Sequence, residues 1–333
     1  MTHVPVPQSV APRLSPLGLG GAQLGNLYHA ISDETAGATV RRAWDEGIRY
    51  FDTAPHYGLG LSERRLGAAL SAYPRDEYVV STKVGRVLEP QAAEPGTRDG
   101  QGFDVPATYL RRWDFSRDGV LRSLEDSLTR LGADHVDLVY VHDPDEHFAE
   151  AVAGAFPALL QLRDQGVVRA IGAGMNQAPM LAEFVRRFDL DHVLVAGRYT
   201  LLDQAALDDL LPLCLERGVG VVAGGVFNGG ILATAEPGRI YDYATAPAEL
   251  VRKAERIAEI CALHGVELPD AALALPRVHP AVSSMVLGAH DPGQVSRNVR
   301  RAAADVPAGL WQDLVDKGLL RTEAATVVSG GTQ

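Results

Sequence analysis

Short apolar runs alternate with longer amphipathic segments along almost the whole chain. The apolar runs are rich in valine and isoleucine, which is typical of fully buried parallel strands. The segments between them repeat apolar residues at helical spacing. We predict eight strands, each followed by a helix, with the strands at 17–25, 48–54, 77–85, 136–142, 167–176, 191–199, 219–232 and 282–289.

The predicted helices share amphipathic spacing, and several end at a glycine that precedes the next strand. Ser62 and Ser116 are predicted N-caps. Parallel strands require crossover helices, so eight strand–helix units predict a single (β/α)8 TIM barrel spanning 1–333, with its core at about 14–305. A doubly wound sheet with an appended domain is the alternative, but no change of composition marks a boundary. The helices are expected at 33–47, 61–73, 116–132, 149–166, 178–188, 204–218, 247–265, 268–280, 291–304 and 308–317.

Two segments depart from this alternation. Residues 86–115 are rich in proline, glycine and charge and are longer than ordinary connections, so we predict an irregular active-site loop there. Its aromatic residues, Trp113 among them, suit a substrate wall. Residues 320–333 form a polar C-terminal segment that we expect to be mobile.

Composition and charge narrow the class of protein. Of the 333 residues, 46% are hydrophobic and 22% are charged, which suffices for a full core. The formal net charge of −11 gives no electrostatic footprint for nucleic acid or an anionic membrane. Cys214 and Cys261 both lie in apolar, helix-like segments, which indicates core thiols and a reducing cytoplasm. We therefore expect a cytoplasmic monomer or homodimer that acts on a small molecule.

Ionisable side chains stand at the ends of three successive predicted strands. Asp52 ends the second strand, Lys83 the third and His142 the fourth, and Tyr57 follows in the loop after Asp52. The carboxyl ends of barrel strands meet at one mouth, where active sites of this fold lie. The sequence therefore predicts that these four side chains share one site.

These four residue types suit proton transfer at an alcohol or carbonyl oxygen. A free tyrosine has a pKa near ~10, but the ammonium of Lys83 favours the phenolate of Tyr57. Asp52 can hold Lys83, and His142 can bind a substrate oxygen beside the phenol. A hydride acceptor would complete the chemistry. A buried Asp–Lys ion pair with an incidental tyrosine and histidine is the non-catalytic alternative.

The segment HDPDEH, residues 142–147, raises the question of a metal site. We interpret it as one active-site histidine followed by a polar loop, and we predict no metal. A metal site in the barrel would not need Tyr57 and Lys83.

The motifs FDTAPHYG, SERRLG, STKVGR and VYVHDPD resemble the aldo-keto reductase superfamily, as do GMN, RYTLLD and LGAHDPGQVSRNV. The resemblance covers about residues 14–305. It implies a (β/α)8 barrel and NAD(P)-dependent carbonyl or alcohol chemistry without a metal. It also implies a catalytic tetrad, which falls on Asp52, Tyr57, Lys83 and His142.

Within this family the segments AGRYTLLDQ, AGGVFNGGIL and WDFSRDGVLRSLEDSL are most similar to bacterial aldose 1-dehydrogenases. These enzymes oxidise the anomeric hydroxyl of sugars of the L-fucose, D-arabinose or L-galactose type to a lactone. The chain is also similar to pyridoxal 4-dehydrogenase. A general aldehyde or ketone reductase and a non-catalytic, cofactor-sensing subunit stay open as alternatives. Tyr57, His142 and Trp113 are the expected substrate contacts.

The resemblance also implies a set of cofactor contacts. Asn176 would bind the nicotinamide carboxamide, while Ala196 and Gly224 replace the usual carboxamide-binding glutamine and stacking aromatic residue. The loop from Val226 to Gly230 would surround the pyrophosphate through backbone N–H groups. The complete expected set is Gly21, Ala22, Asp52, Asn176, Val226, Phe227, Asn228, Gly229, Gly230, Gly288, His290, Asp291, Gln294 and Asn298.

The adenosine end favours NAD over NADP. NADP-specific relatives usually carry lysine or arginine where this chain has Gly288, Ala289 and Gln294. Asp291 would repel a 2′-phosphate but could accept from a free 2′-hydroxyl. His290 and Arg297 lie nearby and leave NADP open.

Overall fold

The structure is a computed structural model that describes residues 11–94, 96–242 and 244–325. Among these residues, eight parallel strands close into a barrel in which every strand pairs with its neighbours in chain order. The predicted (β/α)8 fold is confirmed. The barrel strands are β1 Leu17–Gly20, β2 Tyr50–Asp52, β3 Val79–Val84, β4 Leu138–His142, β5 Ala170–Met175, β6 His192–Ala196, β7 Gly220–Gly224 and β8 Val282–Gly288.

Helices follow the strands in the predicted alternation. A short helical turn, Phe148–Glu150, and a π-helix, Ala151–Ala155, lead into the fourth helix. The helices of the described chain are α1 Asp33–Asp45, α2 Leu61–Leu70, α3 Arg117–Leu131, α4 Phe156–Asp164, α5 Ala178–Arg187, α6 Leu210–Arg217, α7 Ala248–Leu263, α8 Leu268–Arg277, α9 Pro292–Ala302 and α10 Ala308–Asp316.

One of the two predicted helix caps is wrong. Ser116 caps α3, because its hydroxyl accepts from the backbone N–H of Gly119 at 3.1 Å. Ser62 lies inside the first turn of α2, which Gly60 precedes in a left-handed conformation. The buried Ser62 hydroxyl instead donates to the carbonyl of Gly21 at 2.7 Å. It therefore connects the helix to the end of β1.

Residues 86–115 are more regular at their two ends than the sequence predicts, which corrects that prediction in part. Two antiparallel strands, Arg86–Pro90 and Tyr109–Trp113, form a hairpin in which Arg86 lies opposite Trp113. The hairpin begins at Gly85, whose φ of +111° favours glycine and where a Cβ would lie 2.3 Å from the ring of Phe115. The strand pairing joins residues far apart in the sequence, so the proline-rich composition between them concealed it.

By contacts, the chain divides into two compact units. The first runs to Met175 and adds residues 188–193 and 288–296. It contains β1 to β5, the hairpin and all four predicted catalytic residues. The second unit comprises 176–187, 194–287 and the described residues from 297 onward, and it contains β7 and both cysteines. Cys214 and Cys261 are buried and unbridged, as predicted.

The C-terminal segment is less exposed than predicted. Leu320, Ala324 and Ala325 are buried, so residues 320–325 pack against the protein. The remainder of the predicted mobile tail, 326–333, lies outside the described residues. Within the described ranges, no helix combines the length and the apolar character needed to cross a membrane.

Candidate active site

An ion pair between the ends of β2 and β3 forms the base of the site. The Lys83 ammonium donates to Asp52 Oδ2 at 2.6 Å and to the Thr53 carbonyl at 2.9 Å. Ser81 donates to the second carboxylate oxygen at 2.7 Å. Lys83 and Asp52 are 2% and 3% exposed. Both charges are therefore held by hydrogen bonds in a nearly dry environment, which fixes the ammonium in one position.

Tyr57 lies directly beside this ion pair. The Lys83 ammonium is 4.7 Å from the centroid of the phenol ring. The loop carrying Tyr57 is held closely, because its carbonyl accepts from the N–H of Ser62 and a Cβ at Gly25 would lie 2.6 Å from the Tyr57 backbone. Glycine at position 25 thus permits the loop to approach the end of β1.

His142 completes the group of four at the end of β4. Its ring meets the ring of Tyr57 edge to face, with centroids 6.0 Å apart and planes at 90°. The structure therefore brings Asp52, Tyr57, Lys83 and His142 together, all within the first compact unit.

Burial raises the pKa of Tyr57 well above the ordinary tyrosine value. The carboxylates of Asp52 and Asp143 raise the same pKa, and the guanidinium of Arg86 lowers it. The expectation that Lys83 brings the phenol close to working pH is therefore not met. Burial and two nearby carboxylates keep the proton on the phenol.

Both histidines of the site are neutral. Burial lowers the pKa of His142 well below its usual value, and the cations Arg86 and Lys83 lower it further. Burial lowers the pKa of His56 to about 2, again with help from Arg86. A neutral imidazole can donate one hydrogen bond and accept another. His142 is thus suited to orient a substrate oxygen and not to act as a cationic acid.

Two site residues, Arg86 and Asp143, were not predicted as functional groups, whereas His56 was expected as a wall residue beside Tyr57. Arg86 forms an ion pair with Asp143, whose Oδ2 lies 3.4 Å from His142 Nε2. Burial raises the pKa of Asp143 to about 6. The sequence did contain a signal for both residues, because Arg86 and Asp143 follow the strand ends that carry Lys83 and His142. The alternation pattern assigned both residues to loops, and their meeting depends on the hairpin.

Trp113, the expected substrate contact on the hairpin, is partly accessible. Its ring is 39% exposed and stacks on Phe115 with centroids 5.7 Å apart. The guanidinium of Arg86 lies 4.3 Å above the indole. His147, once considered as a metal ligand, packs against both aromatic rings and contacts Glu150.

In the first unit, the expected cofactor residues follow β1 and β8. Gly21 packs against the end of β2, since its N–H donates to the backbone carbonyl of Asp52 at 2.7 Å. His290 stacks on His29 with centroids 3.9 Å apart, and its Nδ1 is buried without a partner among the described residues. A polar atom of this kind suits a ligand hydroxyl, so this segment fits an adenosine group.

The remaining side chains of that loop support its own backbone. Gln294 Oε1 accepts from the His290 N–H at 2.8 Å, and the Gln294 N–H donates to Asp291 Oδ1 at 2.8 Å. Asp291 is exposed, whereas Asn298 is buried within α9. Gly288 lies against the side-chain amide of Gln23, which would have to move to admit a Cβ at this position.

In the second unit, the loop 226–230 turns through left-handed backbone conformations. Asn228, Gly229 and Gly230 have φ values of 46°, 75° and 116°. Asn228 Nδ2 donates to the Gly197 carbonyl, while its Oδ1 is buried and has no partner among the described residues. The N–H groups of Asn228 and Gly230 bond within the turn, so they are not the ones available to an anion.

A (β/α)8 barrel with this acid, lysine, phenol and imidazole at its strand ends is suited to proton transfer at a carbonyl or alcohol oxygen. The Aldo/keto reductase family matches residues 16–314. The chain belongs to that family, as its motifs indicated. It is an NAD(P)-dependent oxidoreductase, and it uses a nicotinamide cofactor.

Two relatives and one solved structure show where the chain lies within the family. D-threo-aldose 1-dehydrogenase from Pseudomonas sp is 49% identical over 311 residues, which cover 92% of this chain and 94% of the relative. Pyridoxal 4-dehydrogenase from Microbacterium luteolum is 40% identical over 322 residues, or 91% and 94% of the two chains. The holo form of an aldo-keto reductase from Bacillus halodurans superposes with a TM-score of 0.71 at 25% identity, covering 92% of this chain and 93% of that one.

Proposed function

We propose that this enzyme oxidises the anomeric hydroxyl of an aldose of the L-fucose, D-arabinose or L-galactose type to a lactone. The contact of Tyr57 with the Asp52–Lys83 pair and His142 carries the oxidoreductase chemistry. The 49% identity to a D-threo-aldose 1-dehydrogenase supports a sugar as the substrate.

In this reaction the side chains of the protein bind the substrate oxygen and accept its proton. When bound, the nicotinamide ring supplies the acceptor for the hydride that leaves C1. The phenolate form of Tyr57 takes the proton of the C1 hydroxyl, so that a carbon–oxygen double bond forms and the lactone results. Asp52 fixes the Lys83 ammonium beside the phenol, the Arg86 guanidinium lowers the pKa of Tyr57, and neutral His142 donates a hydrogen bond to the reacting oxygen.

NAD is the proposed cofactor, held at its adenosine end by the loop 288–294. This loop carries the carboxylate of Asp291 and no lysine or arginine, which disfavours a 2′-phosphate. The resemblance alone assigns Asn176 to the nicotinamide and Val226 to Gly230 to the pyrophosphate. The two buried, unbridged cysteines support a cytoplasmic location.

Oxidation of the pyridoxal hemiacetal is the second candidate. The 40% identity to a pyridoxal 4-dehydrogenase favours it, and a hemiacetal offers the same ring hydroxyl as an aldose. The same proton transfer at Tyr57 would serve both substrates.

The first test is Tyr57→Phe, which removes the hydroxyl and keeps the ring. We expect loss of turnover with L-fucose and D-arabinose, while NAD binding measured by fluorescence titration is retained. Retained turnover would refute the assignment of Tyr57.

Wild-type protein is assayed in parallel for nicotinamide absorbance with these sugars and with pyridoxal, using NAD and then NADP. Turnover of pyridoxal alone would move the substrate to the second candidate. Reduction of simple aldehydes alone would indicate a general reductase. Tight NAD binding without any turnover would indicate a cofactor-sensing protein.

A further inference from the structure

We propose, on the basis of the function proposed above, that Arg86 is a substrate-binding residue. Its Nε–H donates to the hydroxyl oxygen on the carbon next to the reacting carbon of the sugar. Asp143 is the positioning residue that holds the guanidinium in place.

Arg86 is fixed on three sides. Gly85 turns the chain at the end of β3, so that Arg86 begins the hairpin beside the site. Its Nη2 forms an ion pair with Asp143, and its guanidinium lies 4.3 Å above the indole of Trp113. The side chain is 11% exposed. A guanidinium held between a carboxylate and an aromatic face keeps its donors in fixed directions.

One N–H of this guanidinium forms no hydrogen bond with the described residues of the protein. Arg86 Nε is buried and has no hydrogen-bond partner among the described residues. Leaving a charged donor unpaired is costly, and buried polar groups in native proteins nearly always have a partner. A substrate oxygen is the kind of partner that this N–H lacks.

The position of Asp143 links this donor to the reacting oxygen. Asp143 Oδ2 accepts from Arg86 and lies 3.4 Å from His142 Nε2. The Arg86 guanidinium and the His142 imidazole therefore both neighbour the same carboxylate oxygen. His142 is the residue expected to bind the C1 oxygen of the substrate, so we assign Arg86 and His142 to adjacent oxygens of one substrate.

The backbone at Asp143 also favours a positioning role. Asp143 has a φ of +44°, a left-handed conformation that is uncommon for a residue other than glycine. Its N–H donates to the Gly174 carbonyl at 3.0 Å, which ties the strained residue to the end of β5. Backbone strain of this kind is typical of functional sites.

Arg86 has a second effect that the test must separate from hydroxyl binding. Its charge favours the phenolate of Tyr57, so removing it would slow every substrate alike. Binding of one hydroxyl affects only substrates that carry this hydroxyl. The two effects are therefore separated by comparing D-arabinose with 2-deoxy-D-ribose, which is the same sugar without the C2 hydroxyl.

The experiment measures kcat/KM for both sugars with NAD in wild type, Arg86→Met and Arg86→Lys. Wild type should prefer D-arabinose by roughly 10- to 100-fold, the contribution expected of a hydrogen bond from a charged donor. Arg86→Met should lower activity with both sugars and bring their kcat/KM values within a few-fold of each other. Arg86→Lys keeps a charge near Tyr57 but lacks the Nε–H, so it should lose the preference while retaining more activity.

Arg112→Gln is the matched control. Arg112 lies on the same hairpin, is 40% exposed and pairs with Glu89 and Asp114. The sugar preference of this variant should equal that of wild type, and NAD binding should be unchanged in every variant.

Two outcomes would overturn the assignment. If both Arg86 variants lose activity but keep the wild-type preference for D-arabinose, Arg86 acts through Tyr57 or the hairpin and not on the hydroxyl. If wild type turns over neither sugar, the proposed function fails, and the assignment of Arg86 to a sugar hydroxyl fails with it.

Discussion

Tyr57 shows how the surroundings of one residue decide the direction of catalysis. Its phenol is half-buried beside two carboxylates, Asp52 and Asp143, and two cations, Lys83 and Arg86. Burial and the carboxylates raise its pKa, so the protonated phenol predominates near neutral pH. A protonated phenol is ready to donate to a carbonyl, whereas oxidation of an alcohol first requires loss of this proton.

This protonation state predicts an alkaline dependence for sugar oxidation. Because the pKa of Tyr57 is raised, the phenolate fraction grows as pH increases, roughly tenfold per pH unit while the pH stays below that pKa. We expect the single-turnover rate of oxidation to rise through the neutral and alkaline range, and carbonyl reduction to lack this rise. Stopped-flow rates in both directions across pH test it.

The Arg86→Met variant is the comparison for the pH dependence of the oxidation rate. Arg86 lowers the pKa of Tyr57, so its removal should displace the alkaline rise to still higher pH. An oxidation rate that is already constant at neutral pH in wild type would contradict the raised pKa.

The hairpin is the element that covers the site. Arg111 donates to both carboxylate oxygens of Asp99 at 2.7 and 2.8 Å and to the His56 carbonyl at 2.9 Å. Arg111 and Asp99 are only 5% and 7% exposed. Phe103, in the connection between the two strands, packs against the rings of His56 and Tyr57. The connection therefore forms a wall of the site because this ion pair holds it there.

Asp99→Asn tests the hairpin as a wall. The change leaves Arg111 buried opposite a neutral group, and breaking a buried pair costs about 3–5 kcal/mol. Because Asp99 and Arg111 both belong to the hairpin and its connection, this change destabilises that segment. We expect faster hydrogen exchange in residues 91–108 and a raised KM for the sugar. Peptide-resolved exchange and steady-state kinetics measure the two effects.

Glu89→Gln is the control for the hairpin, since Glu89 pairs with Arg112 at the surface of the same hairpin. Exposed pairs contribute little, so exchange and KM should stay near wild type. Unchanged exchange in Asp99→Asn would show that other contacts hold the wall.

At the scale of the whole molecule, the two ends of the barrel differ in role. The four side chains proposed as catalytic lie at or just beyond the carboxyl ends of strands, whereas Asp137 precedes β4 at the opposite end. Asp137 is fully buried and accepts from Arg75 at 2.7 Å, Arg169 at 3.0 Å and the Val80 N–H at 2.8 Å. These bonds join β3, β4 and β5 where no chemistry is expected.

Asp137→Ala should therefore reduce stability without changing catalysis. A buried N–H would lose its partner and two cations would lose their counter-charge, at a cost of about 2–3 kcal/mol in the free energy of unfolding. Urea denaturation measures the loss, and kcat/KM of the folded protein should match wild type. Asp134→Asn, an exposed neighbour, is the control with little change expected. A large fall in kcat/KM of folded Asp137→Ala would contradict this division of roles.

The amino-acid pattern alone was enough to predict the barrel and its four central residues. Period and composition are local properties, and eight strand–helix repeats permit few arrangements. Because parallel strand ends meet at one mouth, the positions of Asp52, Lys83 and His142 along the chain already implied that they lie together. Ser116 was likewise predictable, since a cap bonds within its own turn.

Only the tertiary structure decided features that depend on distant residues and on burial. The hairpin pairs Arg86 with Trp113 across a proline-rich segment, and Ser62 bonds to Gly21 instead of capping its helix. The protonation of Tyr57 and the unused donor of Arg86 follow from desolvation and from neighbours on other elements. No local pattern encodes these contacts, because each exists only once the strands have closed.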